Sequence, residues 1–169
     1  MSERFCRLHD VRACGVLRHP DSYAWLIVRG PDAGGRWHLP GGRLRHRENP
    51  RRTVVREFGE ELDVTVRDEP RLRAVSWTEP SNPGTLGKVT FVFDLGFLPP
   101  GAQITPAPGE IADWNWTQPD ELDSWLHPFD AERAAAIVAE DRQLPISYLE
   151  QHRTPAPAAG PRVGMLRTR

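Results

Sequence analysis

The sequence predicts one domain of the mixed α and β class. Three observations carry that expectation. Short runs rich in Val, Ile, Leu, Phe, Tyr and Trp are separated by Pro- and Gly-rich loops, a helix with a clear apolar arc lies among them, and two more helical segments come late in the chain. The 169 residues fit a single folding unit. Residues 1–150 are expected to form it. Residues 151–169, rich in Pro, Ala and Arg, are expected to be disordered or loosely packed on the surface.

Between Val11 and Val28 two apolar runs flank His19-Pro20-Asp21-Ser22, which predicts two strands joined as a hairpin. After the loop 31–35, Trp37-His38-Leu39-Pro40 leads into Gly41-Gly42, where a third short strand is expected to stop. Asn49-Pro50 is a helix start, because Asn caps free backbone N–H groups and Pro is tolerated at the first helical position. The spacing predicts a helix over Pro50 to Leu62 that buries Val54, Val55, Phe58 and Leu62. Strands are expected at Arg71 to Thr78 and Lys88 to Phe97. In the second, Val89, Phe91 and Phe93 alternate with Thr90, Val92 and Asp94, and Val92 breaks the polar side of the alternation. A last strand is expected near Ile111 to Thr117. Helices should follow at Asp120 to Leu126 and Asp130 to Arg142, the second packing through Ala134, Ile137 and Val138.

Composition narrows the function. Lys and Arg number 22 against 23 Asp and Glu, so the net charge of −1 supplies no basic track for a nucleic acid polymer and no membrane-binding face. The longest apolar stretches fall far short of the ~20 residues that cross a bilayer. The charged start Met1-Ser2-Glu3-Arg4 lacks the pattern of a secretory signal. Cys6 and Cys14 are too few for a disulfide framework and read as reduced thiols. A soluble cytoplasmic protein is expected, monomeric or homodimeric.

The chemistry concentrates in the first helix. Glu57, Glu60 and Glu61 stand at i, i+3 and i+4 and share one sector, where like charges repel unless a cation neutralises them. Hard carboxylate oxygens suit Mg²⁺ or Mn²⁺ better than zinc. Taken alone, such a run is more often an ordinary solvated face, here with Arg56 as partner.

The surrounding residues remove that ambiguity. Gly42, five residues, Glu48, seven residues, then Arg56-Glu57-Phe58-Gly59-Glu60-Glu61-Leu62-Asp63-Val64 closely resembles the signature of the Nudix hydrolase family. The entry Trp37-His38-Leu39-Pro40-Gly41-Gly42 and the order of elements extend the resemblance over roughly residues 10–145. It implies an α/β/α sandwich with a mixed sheet between helices. It also implies Mg²⁺-dependent hydrolysis of a phosphoanhydride by water attack on phosphorus, with Mn²⁺ able to substitute. On this resemblance Glu57, Glu60, Glu61 and the carbonyl of Gly41 are the metal ligands. Arg56 braces the carboxylates, and Glu48 ties the loop to the helix through Arg56 or a metal-bound water. The general base is either a helix glutamate or Glu110, which follows Pro108-Gly109, with Glu79 in reserve. Arg43 is the candidate phosphate contact of the basic stretch that runs on through Arg45, His46 and Arg47. Among six tryptophans, Trp77 or the loop 79–87 is assigned to substrate contact, while Trp114 and Trp116 share one strand face.

Two positions depart from the pattern. Asp63 stands where the signature has Gly, and Arg47 where many relatives have Gly; Asp tolerates the left-handed backbone better than most residues. The expected substrate is a nucleoside triphosphate, oxidised or otherwise modified. The alternatives are a nucleotide sugar such as ADP-ribose, ranked second because only about ten residues precede the first strand, and a module that senses a nucleotide without cutting it.

Overall fold

The computed structural model describes residues 9–32, 35–82, 84–140 and 146–151. Among the described residues the expected mixed fold is present as eight strands and three helices. The strands are β1 (Asp10–Arg18), β2 (Trp25–Arg29), β3 (Trp37–His38), β4 (Gly41–Arg43), β5 (Arg71–Thr78), β6 (Lys88–Phe97), β7 (Asp113–Thr117) and β8 (Ser147–Gln151); the helices are α1 (Pro50–Leu62), α2 (Leu122–Trp125) and α3 (Pro128–Glu140). One sheet runs β3-β2-β1-β6-β5-β8, with β4 paired to β1 and β7 to β2. β1 and β2 are the antiparallel hairpin the sequence predicts, while β1 runs parallel to β6 and β5 parallel to β8, which makes the sheet mixed.

Both faces of this sheet are covered, and strand alternation shows how. Ala13, Leu17, Leu26, Val28, Phe93 and Leu95 pack with Val54, Phe58 and Leu62 of α1. Their strand neighbours Cys14, Val16, Trp25, Ile27 and Val92 pack with Leu122 and Leu126 at α2 and Ala134 and Ile137 of α3. Val92 breaks the polar alternation because its face of the sheet is a second core. Among the described residues no helix is long and apolar enough to cross a membrane.

α1 begins and ends as the sequence predicts. Asn49 accepts from the Arg52 N–H at 2.9 Å, and Pro50 occupies the first turn. At the other end Asp63 adopts φ 56° and ψ 33°, its N–H donating to the Gly59 carbonyl and that of Val64 to Phe58. Arg47 sits at φ 62°. Both departures from glycine are therefore at left-handed positions. Arg47→Gly is expected to raise Tm by about 2–4 °C, and Asp63→Gly by less because Asp accepts this backbone more readily. Thermal denaturation followed by circular dichroism measures both, and a lower Tm in each would contradict the account.

Several expectations are corrected. The third strand stops ahead of Gly41-Gly42, at His38, but the two glycines also start β4, which pairs with β1 at Cys14 and Ala13. Gly41 has φ 141°, and a side chain there would meet the Ala13 carbonyl oxygen at 2.2 Å, so only glycine permits the approach. Val55 and Val138 face outward, 38% and 41% exposed. Thr53 and Arg133 are buried on those helices instead, because each finds hydrogen-bond partners inside. The last expected strand is shorter than predicted, Asp113–Thr117. β8 was not foreseen: it adds to the sheet beside β5, with Gln151 buried and bonded to Thr78, Glu132 and the Phe129 carbonyl. The tail 152–169 lies outside the described residues.

Candidate active site

The Glu48–Glu61 segment is organised around Arg56. Its Nε and one terminal nitrogen donate to the two oxygens of Glu48 at 2.8 and 3.0 Å. The other terminal nitrogen reaches Glu60 at 2.8 Å and Glu57 at 2.9 Å, and a further bond of 3.1 Å goes to the Arg43 carbonyl. This bidentate pairing holds the Glu48 carboxyl down at about 2. The Arg56 guanidinium is in turn held more firmly protonated, chiefly by Glu48. Thr53 Oγ1 and the Arg45 N–H complete the ring of donors on Glu48, at 2.9 and 3.0 Å.

The three helix glutamates do not share one environment. Glu60 is turned to Arg56 and to Arg45, 2.9 Å away, and the Arg56 bond lowers its pKa. Glu57 and Glu61, one turn apart, lie against Gly41-Gly42. A Cβ on Gly42 would sit 2.3 Å from Glu57 Oε1, and the Gly41 N–H donates to Glu61. Burial raises both carboxyls, and Glu61 is pushed up to about 7, with the Glu57 charge adding to the effect. Its Oε2 is buried and has no hydrogen-bond partner. Among the described residues no group of three or more Asp, Glu, His or Cys gathers into a ready metal cage. The donor set that fits a hard cation is the Glu57–Glu61 pair beside Gly41, with the orphaned Oε2 oxygen as its most direct sign.

The loop between β6 and β7 carries Glu110 to this pair. Its backbone satisfies the last carbonyls of α1: the Ala107 N–H donates to Glu61 at 2.7 Å and the Thr105 N–H to Leu62 at 2.9 Å. Glu110, exposed in the turn that follows, is near enough to raise Glu61 further by its charge.

Other candidates are placed less centrally. Arg43 is 71% exposed and bonds Asp10 at 3.1 Å. Trp77 is half-buried, on the opposite face of β5 from the buried Ser76 and Thr78. Trp114 and Trp116 share a face as expected, edge to face at 6.4 Å between ring centroids.

Next to Gly41-Gly42, on the α3 side of the sheet, opens a cleft of about 210 Å³. Arg12, Lys88, Thr90, His127, Asp130 and Arg133 are among its walls. None of them is among the residues the sequence singles out for chemistry. The usable signal was the alternation of β1, which puts Arg12 on the same face as Cys14 and Val16.

Comparison with known proteins bears on the family and the fold. Over 58 residues the chain is 46% identical to a putative 8-oxo-dGTP diphosphatase 2 of Mycobacterium tuberculosis, a match covering 34% of this chain and 37% of that protein. Over 93 residues it is 34% identical to an uncharacterized Nudix hydrolase, orf19, of Rhodococcus erythropolis, covering 52% of this chain and 49% of that one. The matches thus span about a third to a half of these curated relatives' lengths. In fold the chain resembles the MutT protein of Methanosarcina mazei, with TM-score 0.70, 19% identity and coverage of 82% and 99% of the two chains. It also resembles an ADP-ribose pyrophosphatase of Streptococcus suis, with TM-score 0.59, 22% identity and coverage of 84% and 99%. A family model of the NUDIX domain matches residues 8–140, nearly the whole described fold. The chain belongs to the Nudix family.

Proposed function

We propose that this protein is a Mg²⁺-dependent pyrophosphohydrolase that cleaves a phosphoanhydride of a nucleoside triphosphate, oxidised or otherwise modified, by water attack on phosphorus. The observation that carries the reading is the pair of raised carboxyls, Glu57 and Glu61, set against Gly41-Gly42 with one buried oxygen unpartnered. Family membership and the partial match to a putative 8-oxo-dGTP diphosphatase support the substrate class.

In this reading Glu57, Glu61 and the Gly41 carbonyl hold the cation, with Glu60 at the rim. Held by these residues, Mg²⁺ or Mn²⁺ would supply neutralisation of the charge that builds on the phosphate oxygens. Glu110 takes the proton of the attacking water; its exposed turn beside Glu61 leaves it free to do so. Arg56 fixes the carboxylates, and Glu48 fixes Arg56. The cleft beside Gly42 receives the rest of the substrate. The same reading implies a cytoplasmic enzyme, monomeric or homodimeric, and the buried free thiol of Cys14 suits a reducing compartment.

The test is turnover of a nucleotide panel with Mg²⁺, including ordinary and oxidised nucleoside triphosphates and ADP-ribose, with products identified by mass spectrometry. Release of pyrophosphate and a nucleoside monophosphate is expected, and Glu110→Gln should lower kcat about 10²–10³-fold with KM little changed. Cleavage of ADP-ribose alone would assign the nucleotide-sugar activity instead. Tight nucleotide binding without turnover of any panel member would assign a sensor.

A further inference from the structure

The cleft on the α3 side contains a cation that the glutamate chemistry does not use. Arg12 lies on β1, opposite Thr90 of β6 and Arg43 of β4, and lines the cleft beside Gly41 and Gly42. Its Nε is buried and has no hydrogen-bond partner. A guanidinium nitrogen taken from water without a replacement acceptor is costly, and native interiors rarely leave one so. The neighbouring Arg133 differs. It donates to Ser76 at 2.7 Å, to Asp130 at 2.9 Å and to Thr78 at 3.4 Å, so its bonds are made and its charge is offset by Asp130. With that pair cancelled, Arg12 and the exposed Lys88 leave the cleft net positive. Arg12 also sits close enough to the glutamate pair for its charge to act on Glu61. A buried donor without an acceptor, in a positive cleft adjoining the carboxylate pair of the proposed cation site, is suited to an anion bound between them.

We propose that this cleft is a phosphate-binding subsite in which Arg12 Nε grips a phosphate of the substrate that the glutamate-bound cation does not hold. The subsite rests on the nucleotide-hydrolase reading. The phosphate can be a further member of the 5′ chain or an ester elsewhere on the sugar. Either way the cleft favours substrates with an extra phosphate, and Arg12 is a substrate-binding residue outside the glutamate motif.

Calorimetric titration in EDTA separates this binding from cation chemistry. The probes are guanosine mono-, di- and triphosphate and adenosine 5′-monophosphate against adenosine 3′,5′-bisphosphate. Wild type is expected to gain affinity with the added phosphate in one of the two series; a gain along the chain identifies a chain phosphate, and a gain with the bisphosphate identifies the ester. Arg12→Gln should weaken the favoured probe about 10–100-fold, and Arg12→Lys should recover part of it. Equal affinity of folded wild type and Arg12→Gln for every probe, or no gain in either series, overturns the proposal. Should Arg12→Gln fail to fold, Lys88→Gln serves instead: weaker binding of the same probe with a shallower salt dependence supports the subsite, and unchanged binding overturns it. Arg12-dependent binding without any turnover would keep the subsite and remove the enzyme reading. Turnover with KM unaffected by Arg12→Gln would do the reverse.

Discussion

Glu61→Gln is expected to lower kcat by on the order of 10³-fold while the protein stays folded, because on the proposed function it removes a charged cation ligand and keeps the shape of the side chain. The substitution also tests the electrostatics of the site. Burial pushes the Glu61 carboxyl from its ordinary 4.5 up to about 7, so the folded protein holds that proton more tightly than the unfolded chain does. In the cation-free protein the contribution of this group is therefore favourable below pH 4.5 and is lost as pH rises through 7. After allowance for partial solvent contact the loss is about 1–2 kcal/mol, or a fall in Tm of roughly 2–8 °C between pH 5 and pH 8. Glu61→Gln should flatten that slope in EDTA, and Mg²⁺ should raise the wild-type Tm most at the alkaline end. Thermal melts at several pH values, with and without Mg²⁺, measure this. A mutant that retains wild-type kcat, or one with the same pH slope in EDTA, would remove Glu61 from the centre of the site.

The legible parts of the molecule are those written in local chemistry. Asn49-Pro50 marks the start of α1, and the apolar arc of Val54, Phe58 and Leu62 marks its buried side; the structure has both, and the glutamates singled out by their spacing lie on this helix. β5 and β6 are legible because Val75, Trp77 and Thr78 in one, and the run from Val89 to Phe93 in the other, supply β-branched and aromatic residues between loops. The illegible parts depend on what lies across from them. β4 has no strand-forming side chains and exists because glycine lets its backbone close on β1. β8 is held by its parallel ladder to β5 and by the buried Gln151, whose side-chain partners come from β5 and α3. Arg12 is harder still. A charged residue at a strand's beginning reads as solvent-facing, and only the meeting of β1, β4, β6 and the first turn of α3 shows that its Nε is enclosed. In the same way the sequence groups Glu57, Glu60 and Glu61 equally, whereas the reach of Arg45 draws Glu60 toward the rim.

That asymmetry makes Arg56→Ala the substitution with the largest expected effect on stability. The side chain is 17% exposed and ties together Glu48, Glu57, Glu60 and the Arg43 carbonyl, so its removal leaves mutually repelling carboxylates with little left to offset them. A loss of about 2–4 kcal/mol is expected, lowering Tm by roughly 5–15 °C. Arg56→Lys should fall between, since an ammonium keeps the charge but cannot grip both oxygens of Glu48 while reaching Glu60. The acid limb adds a sign that mere cavity formation would not give. Glu48 is held down at about 2, so its contribution is full above pH 4.5 and lost as pH falls toward 2. Without Arg56 that loss should come nearer pH 4.5, moving the acid-unfolding midpoint upward by about 1–2 pH units. Acid titrations of wild type and both variants by circular dichroism measure the shift. An Arg56→Ala protein that melts within a degree of wild type and keeps its acid midpoint would show the carboxylates to be held by the helix alone. The loop from Gly42 to Glu48 would then need some other anchor.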